Sequence, residues 1–151
     1  MHIAINDSKI DISSPESTKK LAENFIKYLD RGSVAFFYGE VGVGKTTFIK
    51  YFINACQKNH KLQATQVTSP TFNLLNEYKV GDLVIKHYDL YRLKKKSELK
   101  NLGLFEDTKD TISLIEWPEL VDKNKSFKTI NLVFSYENDF NNRYVRISGL
   151  T

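Results

Sequence analysis

Gly39-Glu40-Val41-Gly42-Val43-Gly44-Lys45-Thr46-Thr47 has the spacing G-x-x-x-x-G-K-[ST] of a loop that holds nucleotide phosphates. A short apolar run, Val34-Ala35-Phe36-Phe37-Tyr38, leads into it, and an amphipathic stretch comes directly after. Strand, glycine-rich turn and helix in that order are the context such a loop requires. A phosphate chain is a dense anion. Backbone N–H groups converging at a helix N-terminus can hold it, and glycines permit the convergence. Gly39, Gly42 and Gly44 admit positive φ and put no Cβ between backbone and phosphate. Lys45 adds a mobile positive charge for the outer phosphates, and Thr46 offers a hydroxyl to Mg²⁺. With Gly at about 7% of residues, chance gives these four fixed positions about once in a few hundred chains of this length. The strand before and the helix after weigh further against a turn that binds nothing.

Beyond the loop, Phe48, Ile49, Phe52, Ile53 and Cys56 recur at helical spacing and form one apolar face. The polar Lys58-Asn59-His60-Lys61 ends that helix. Upstream, His2 to Asn6 reads as a short strand. Ser13-Ser14-Pro15-Glu16 reads as a helix start, with a Ser cap and Pro in the first turn. Leu21, Phe25 and Leu29 continue it, and Gly32 stops it. Downstream, Thr71 to Lys79 and Leu83 to Asp89 are two expected strands about a turn at Val80-Gly81-Asp82. Ser97 to Leu102 is a short helix closed by Gly103. Thr111 to Glu116 is a buried strand ending in an acid, and Pro118 ends that run. Thr129 to Tyr136 and Arg143 to Ser148 make a final hairpin, expected at the sheet edge or on one face. The pattern is α/β, with strands that are not all parallel and no lid-sized helical insertion.

The 151 residues, 41% hydrophobic and 26% charged, suit a single globular domain over 1–151. No apolar run is long enough for a bilayer. The first seven residues show neither a basic segment nor a long apolar one, so no signal peptide is expected. The single cysteine, Cys56, can form no internal disulfide, which suits a reducing compartment such as the cytoplasm. A formal net charge of +4 is compatible with an RNA or acidic protein partner without requiring either. The run Lys94-Lys95-Lys96 reads first as a solvated helix start or loop and second as an RNA site.

Three further groups carry chemistry. A phosphate-bound Mg²⁺ needs a carboxylate at the end of an apolar strand, and Glu116 stands there. Thr68-Ser69-Pro70-Thr71-Phe72 offers hydroxyls on a stiffened turn. It is either a segment that senses the γ-phosphate or an ordinary turn into a strand. His87-Tyr88-Asp89-Leu90-Tyr91-Arg92 puts His87, Asp89 and Tyr91 on one strand face by alternation. There, Asp89 can orient a water or reach Mg²⁺ through one, and Arg92 can meet phosphate or an acidic partner. A hydrogen-bonded network that merely holds the fold fits the same spacing.

Taken together, G-x-x-G-x-G-K-T-T, S-P-T-F, H-x-D-L-Y-R-L and a strand ending in E-W-P resemble the TsaE family, formerly YjeE. The resemblance runs from about Ser17 to the C-terminus. It implies a P-loop NTPase-like three-layer domain with a mixed sheet, and a small ATPase required for threonylcarbamoyladenosine formation on tRNA. It implies ATP and Mg²⁺ as cofactors, held by Glu40, Val41, Gly42, Val43, Gly44, Lys45, Thr46 and Thr47. Thr46 and Glu116 would stand at the metal, Lys45, Asp89 and Glu116 would be catalytic, and Thr18 would lie by the adenine. Ser69 and Thr71 match the switch-like segment. His87, Tyr91, Arg92 and Trp117 match the polar cluster and the tryptophan beside the acid, as switch or partner residues. TsaD and TsaB would be the partner proteins, reset by nucleotide turnover between cycles, with tRNA met indirectly. Val43 departs from the family's usual Ala, which bears on packing under the loop. Two other classes remain open on residues alone: a small nucleoside or nucleotide kinase, and a nucleotide-switched binding module. Kinases of this fold carry an Arg-rich lid, whereas Arg31, Arg92, Arg143 and Arg146 form no cluster in the sequence.

Overall fold

A computed structural model describes residues 7–70, 72–106, 109–122 and 128–150. Its strands are β1 (Lys9–Asp11), β2 (Val34–Tyr38), β3 (Leu75–Val80), β4 (Leu83–Asp89), β5 (Thr111–Glu116), β6 (Thr129–Glu137) and β7 (Asp139–Ser148). They form one sheet in the order β1-β7-β6-β2-β5-β4-β3. The helices are α1 (Pro15–Phe25) and α2 (Lys45–Asn59), with a 3-10 helix over Lys96–Leu102. The sheet is mixed. β6, β2, β5 and β4 run parallel, while β1, β7 and β3 pair antiparallel with their neighbours.

Burial on both faces explains the centre. Val34, Ala35, Phe36 and Phe37 of β2 are all buried, as is every residue of β5. Continuous β-branched and aromatic runs mark such interior parallel strands. Alternation then divides the core. Ala35 and Phe37 face α1 and α2, where the rings of Phe25 and Phe48 meet edge-on at 5.6 Å. Val34 and Phe36 face the other side, with Tyr88, Leu90 and Ile115. That side is covered thinly, by Leu99 and Leu102 of the 3-10 helix and by Leu104 and Phe105 just beyond its end.

Local signals held at most boundaries. Ser14 caps α1, its hydroxyl accepting from the Ser17 N–H at 3.1 Å, with Pro15 in the first turn. The helix tightens into a 3-10 turn at Ile26–Tyr28, so Leu29 packs from beyond the α-helix proper. Gly103 closes the Lys96–Leu102 helix at φ +64°.

Three expectations are corrected or left aside. The expected strand at His2–Asn6 lies outside the described residues, as does Thr71. The strand expected from Thr71 begins at Leu75. Just ahead of it the Leu74 N–H donates to the Pro70 carbonyl at 2.9 Å, and Leu74 itself has φ +65°, a conformation no strand contains. The final hairpin is not at the edge. β6 sits between β2 and β7, and β1 covers β7. Its alternation of buried Ile130, Leu132 and Phe134 with exposed Val133 and Ser135 imitates a peripheral strand, because one face of this interior strand is open to water. Among the described residues no helix is long and apolar enough to cross a membrane.

Phe48 is fully buried and its ring lies 5.6, 5.8 and 6.0 Å from those of Phe25, Phe37 and Phe134. Phe48→Ala is expected to cost about 3–5 kcal/mol, read as a lower denaturant midpoint. Burial pushes the Cys56 thiol up to about 12. Native protein at pH 8 is therefore expected to resist thiol reagents until denaturant is added. Rapid labelling of the folded chain would contradict its placement in the core.

Candidate functional site

The centre of the sheet places the candidate groups. In the β2–β5 register Phe37 stands opposite Glu116, and in the β5–β4 register Glu116 stands opposite Asp89. Two carboxylates therefore stand in line on one side of the point where the chain leaves β2 for the glycine-rich loop. Gly39, Gly42 and Gly44 all have positive φ, at +143°, +81° and +115°. A Cβ on Gly39 would fall 2.8 Å from the Phe134 carbonyl oxygen, so the loop passes β6 too closely for any side chain. Gly44 caps α2 with no side-chain hydrogen bond. The helix thus offers uncapped N–H groups and the positive end of its dipole to an anion.

Polar side chains converge on that helix end. The Thr46 hydroxyl lies 2.9 and 3.0 Å from the two oxygens of Glu116. His87 Nε2 lies 2.6 Å from Glu116 Oε2. Glu116 and His87 are 2% and 0% exposed. His87 Nδ1 is buried with no partner among the described residues, so within them the ring's one hydrogen bond is to Glu116. Asp89 accepts from the Ser69 hydroxyl at 2.8 Å and from the Tyr91 N–H at 3.1 Å. The Lys45 ammonium donates to the Gly39 carbonyl at 2.5 Å and lies 3.7 Å from the centre of the Trp117 ring. Burial lowers the Lys45 pKa, while Glu116, Asp89 and Glu119 oppose the shift. An incoming anion would relieve that penalty.

A cavity of about 290 Å³ lies above these groups, lined by Val41, Gly42, Gly44, Lys45, Thr46, Thr47, Ser69, Asp89, Tyr91, Glu116 and Trp117. The expected loop residues, both carboxylates and Trp117 thus meet in one place. Glu40 is exposed and does not line the cavity, and Val43 is fully buried, turned into the core under the loop. Trp117 holds φ +56° just after β5, and its ring meets Tyr91 at 4.7 Å. A non-glycine residue in that conformation is uncommon, and it turns the indole back over the loop.

The shared face expected for His87, Asp89 and Tyr91 is only partly realised. His87 is sealed in the core behind Glu116, which leaves it no surface to meet a partner. Tyr91 lies beyond the end of β4, in the turn, 59% exposed. Arg92 does not line the cavity, and its guanidinium lies 4.9 Å from the exposed Phe72 ring. Thr18 is buried in a neighbouring hollow, donating to the Ile12 and Ser14 carbonyls at 3.1 Å each. Sequence reasoning assigned nothing to Arg143 of β7 or Tyr136 of β6, yet both border the loop. The Tyr136 hydroxyl lies 3.6 Å from where a Gly42 Cβ would stand, and Arg143 lines the hollow with Thr18. One signal was available: Arg143 shares strand parity with Val145 and Ile147, a core-facing pattern.

Among the described residues no group of three or more His, Cys, Asp or Glu side chains converges as a metal cluster. A magnesium ion needs no such cluster. It keeps waters and substrate phosphates as ligands and takes one or two from protein. A carboxylate and a hydroxyl already in contact at a helix N-terminus fit that demand.

A glycine loop between a central parallel strand and a helix, backed by a strand-end acid, defines an α/β protein of the P-loop kind. The family model described as "Threonylcarbamoyl adenosine biosynthesis protein TsaE" matches residues 12–145. The chain is 42% identical over 114 residues to the tRNA threonylcarbamoyladenosine biosynthesis protein TsaE of Rickettsia conorii, covering 73% of this chain and 61% of that one. It is 41% identical to that of Rickettsia bellii, covering 76% and 77%, and 34% identical to that of Bacillus subtilis, covering 83% and 76%. The crystal structure of Bacillus subtilis YdiB superposes with a TM-score of 0.68 at 25% identity, over 91% of this chain and 82% of that one. The chain belongs to the TsaE family.

Glu116→Ala is expected to destabilise the fold by about 1–3 kcal/mol, since it strips His87 of its hydrogen bond inside the core. Urea unfolding measures this, and Glu116→Gln is expected to recover most of the loss. An unchanged midpoint in Glu116→Ala would mean the pair carries no structural weight.

Proposed function

We propose that this chain is an ATP hydrolase that serves threonylcarbamoyladenosine formation at the adenosine next to the anticodon of tRNAs reading codons that begin with A. One observation carries the reading: the Glu116 carboxylate meets the Thr46 hydroxyl at the head of the glycine loop. The family supports the pathway, since the named relatives are tRNA threonylcarbamoyladenosine biosynthesis proteins.

In this reading the loop from Glu40 to Thr47 takes the phosphates, and Lys45 leaves the Gly39 carbonyl to pair with the outer ones. Thr46 and Glu116 would hold Mg²⁺, which would supply positive charge beside the phosphate oxygens. Asp89, fixed by Ser69, orients the attacking water. Water forms a new bond to the γ-phosphorus as the bond to the ADP oxygen breaks, leaving ADP and inorganic phosphate. His87 keeps the Glu116 carboxylate in place from behind. Trp117 and Tyr91 wall the cavity at its mouth, where the TsaD–TsaB pair would close it and be reset by turnover. Among the described residues Arg143 is the one arginine near the loop, which together with the open mouth implies slow turnover by the isolated chain. Arg31 pairs with Asp110, Arg146 donates to the Asp7 carbonyl and Arg92 lies over Phe72, so these arginines assemble no lid of the kind kinases use.

Lys45→Ala is expected to weaken ATP–Mg binding by at least about tenfold, since a charge-assisted contact is worth about 1.5–3 kcal/mol. Glu116→Gln is expected to retain nucleotide binding but to lose nearly all Mg²⁺-dependent phosphate release. Isothermal titration and a phosphate-release assay measure the two, and full hydrolysis by Glu116→Gln would remove that residue from the metal. Co-purification with TsaD and TsaB is expected in the presence of ATP, with faster phosphate release in the complex. Failure to associate with or without nucleotide would contradict the partner assignment.

A further inference from the structure

A hollow of about 800 Å³ lies on the thinly covered side of the sheet, opposite α1 and α2. Leu99, Leu104, Phe105 and Val121 give it an apolar floor, and all four pack against the buried cluster of Val34, Phe36 and Tyr88. Lys96, Ser97, Lys100 and Glu106 interrupt that floor with polar groups. Phe105 holds φ +66°, a conformation that bulky residues seldom adopt. Backbone held in so sparsely populated a region points to a task for the side chain it aims.

Cations crowd around the hollow. Residues 92–100 hold Arg92, Lys94, Lys95, Lys96 and Lys100 against one acid, Glu98, and no other nine-residue window of the chain holds as many cations. Five cations and one acid make +4, as much as the formal net charge of the whole chain. All five side chains are exposed. Glu98 is turned back on the main chain, its carboxylate accepting from the Lys94 and Lys95 N–H groups at 3.2 and 3.0 Å. Lys96 pairs with Asp122. Among the described residues Lys94, Lys95 and Lys100 pair with no carboxylate, whereas Lys9, Lys20 and Arg31 each do. Uncompensated like charges held close together repel one another and favour a polyanion.

We propose that this groove binds single-stranded RNA, with phosphates on Lys94, Lys95 and Lys100 and an unstacked base turned into the hollow against Phe105. The reading is independent of the nucleotide loop. A cationic track beside an aromatic floor is how single strands are held without strong sequence preference. Duplex RNA keeps its bases stacked and has none to insert. The mixed lining favours RNA over an acidic helix of a protein. A helix in a groove asks for a continuous apolar stripe, whereas Ser97 and Glu106 break this one and offer a donor and acceptors to base edges. The basic stretch begins at the residue after Tyr91, which walls the first cavity, so RNA bound here lies next to the mouth of that cavity.

Fluorescence anisotropy of the full chain with a labelled, unstructured RNA of about twelve nucleotides reads the contact across a series of salt concentrations. The triple variant Lys94→Ala, Lys95→Ala, Lys100→Ala is expected to lose at least about tenfold in affinity. Its salt slope is expected to be shallower by about 2, since each phosphate contact to a single strand contributes about 0.7. A charge-matched triple on the helical face, Lys19→Ala, Lys50→Ala, Lys58→Ala, is expected to stay within about twofold, its charges being screened from the groove. All six lysines are exposed, so both variants are expected to fold. Inorganic polyphosphate, a polyanion without bases, is expected to compete more weakly than RNA of equal charge. Equal losses in the two triples would overturn the proposal by reducing binding to net charge. Unchanged affinity in the first triple would overturn it too, and equal competition by polyphosphate would take the base out of the hollow. A wild-type chain that binds no RNA at about 50 mM salt, while the first triple loses its association with TsaD and TsaB, would give the groove to a protein instead.

Discussion

Parallel pairing of β2 with β5 and of β5 with β4 sets Phe37, Glu116 and Asp89 side by side across the sheet, and every polar contact of the site depends on that register. The Trp117 N–H donates to the Phe37 carbonyl at 3.3 Å, which carries the β2–β5 alignment one residue past Glu116. A slip by one residue in β5 would turn Glu116 to the opposite face and bring Ile115 toward α2. The burial of all six β5 residues opposes such a slip, since both faces of the strand are packed. Hydrophobic packing thus specifies where a carboxylate stands relative to the helix that begins at Lys45.

Around that fixed acid the polar groups satisfy one another. Glu116 is shared by Thr46 in front and His87 behind, Asp89 is held by Ser69, and Lys45 rests between the Gly39 carbonyl and the Trp117 ring. Such a network keeps buried polar atoms from costing stability. It is also a set of contacts that an anion and a cation can take over with little movement. Lys45 and Thr46 sit on the first turn of α2, so their backbone positions do not change when partners exchange. Preorganised groups of this kind favour binding because little ordering remains to be done when a ligand arrives.

The loop, the helix after it, the strand before it and the acid-ended strand were legible because each arises from local chemistry. Glycines at fixed spacing, an apolar stripe at 48, 49, 52, 53 and 56, and unbroken apolar runs have no common alternative. Sheet order was not legible. Ile130, Leu132 and Phe134 alternate with Asn131, Val133 and Ser135 as the buried face of an outer strand would, and only the structure shows β6 beside β2. The polar cluster was half legible. Spacing put His87 and Asp89 on one face, but it could not tell a histidine sealed behind Glu116 from one exposed to a partner. Nor does spacing reveal that Leu90 and Tyr91 leave the strand, since the turn depends on Asp89 accepting the Tyr91 N–H. Arg143 stayed unassigned because no local motif surrounds it. Its significance comes from strand parity and from a cavity built by α1, far away in sequence.

The most direct test of the account is a crystal structure of this chain with a non-hydrolysable ATP analogue and Mn²⁺, read from the anomalous signal of the metal. The account predicts phosphates in the turn between Gly39 and Thr47, with a manganese peak in contact with the Thr46 hydroxyl and with Glu116 directly or through one water. A metal peak remote from both residues, or an analogue bound elsewhere with the loop empty, would contradict it.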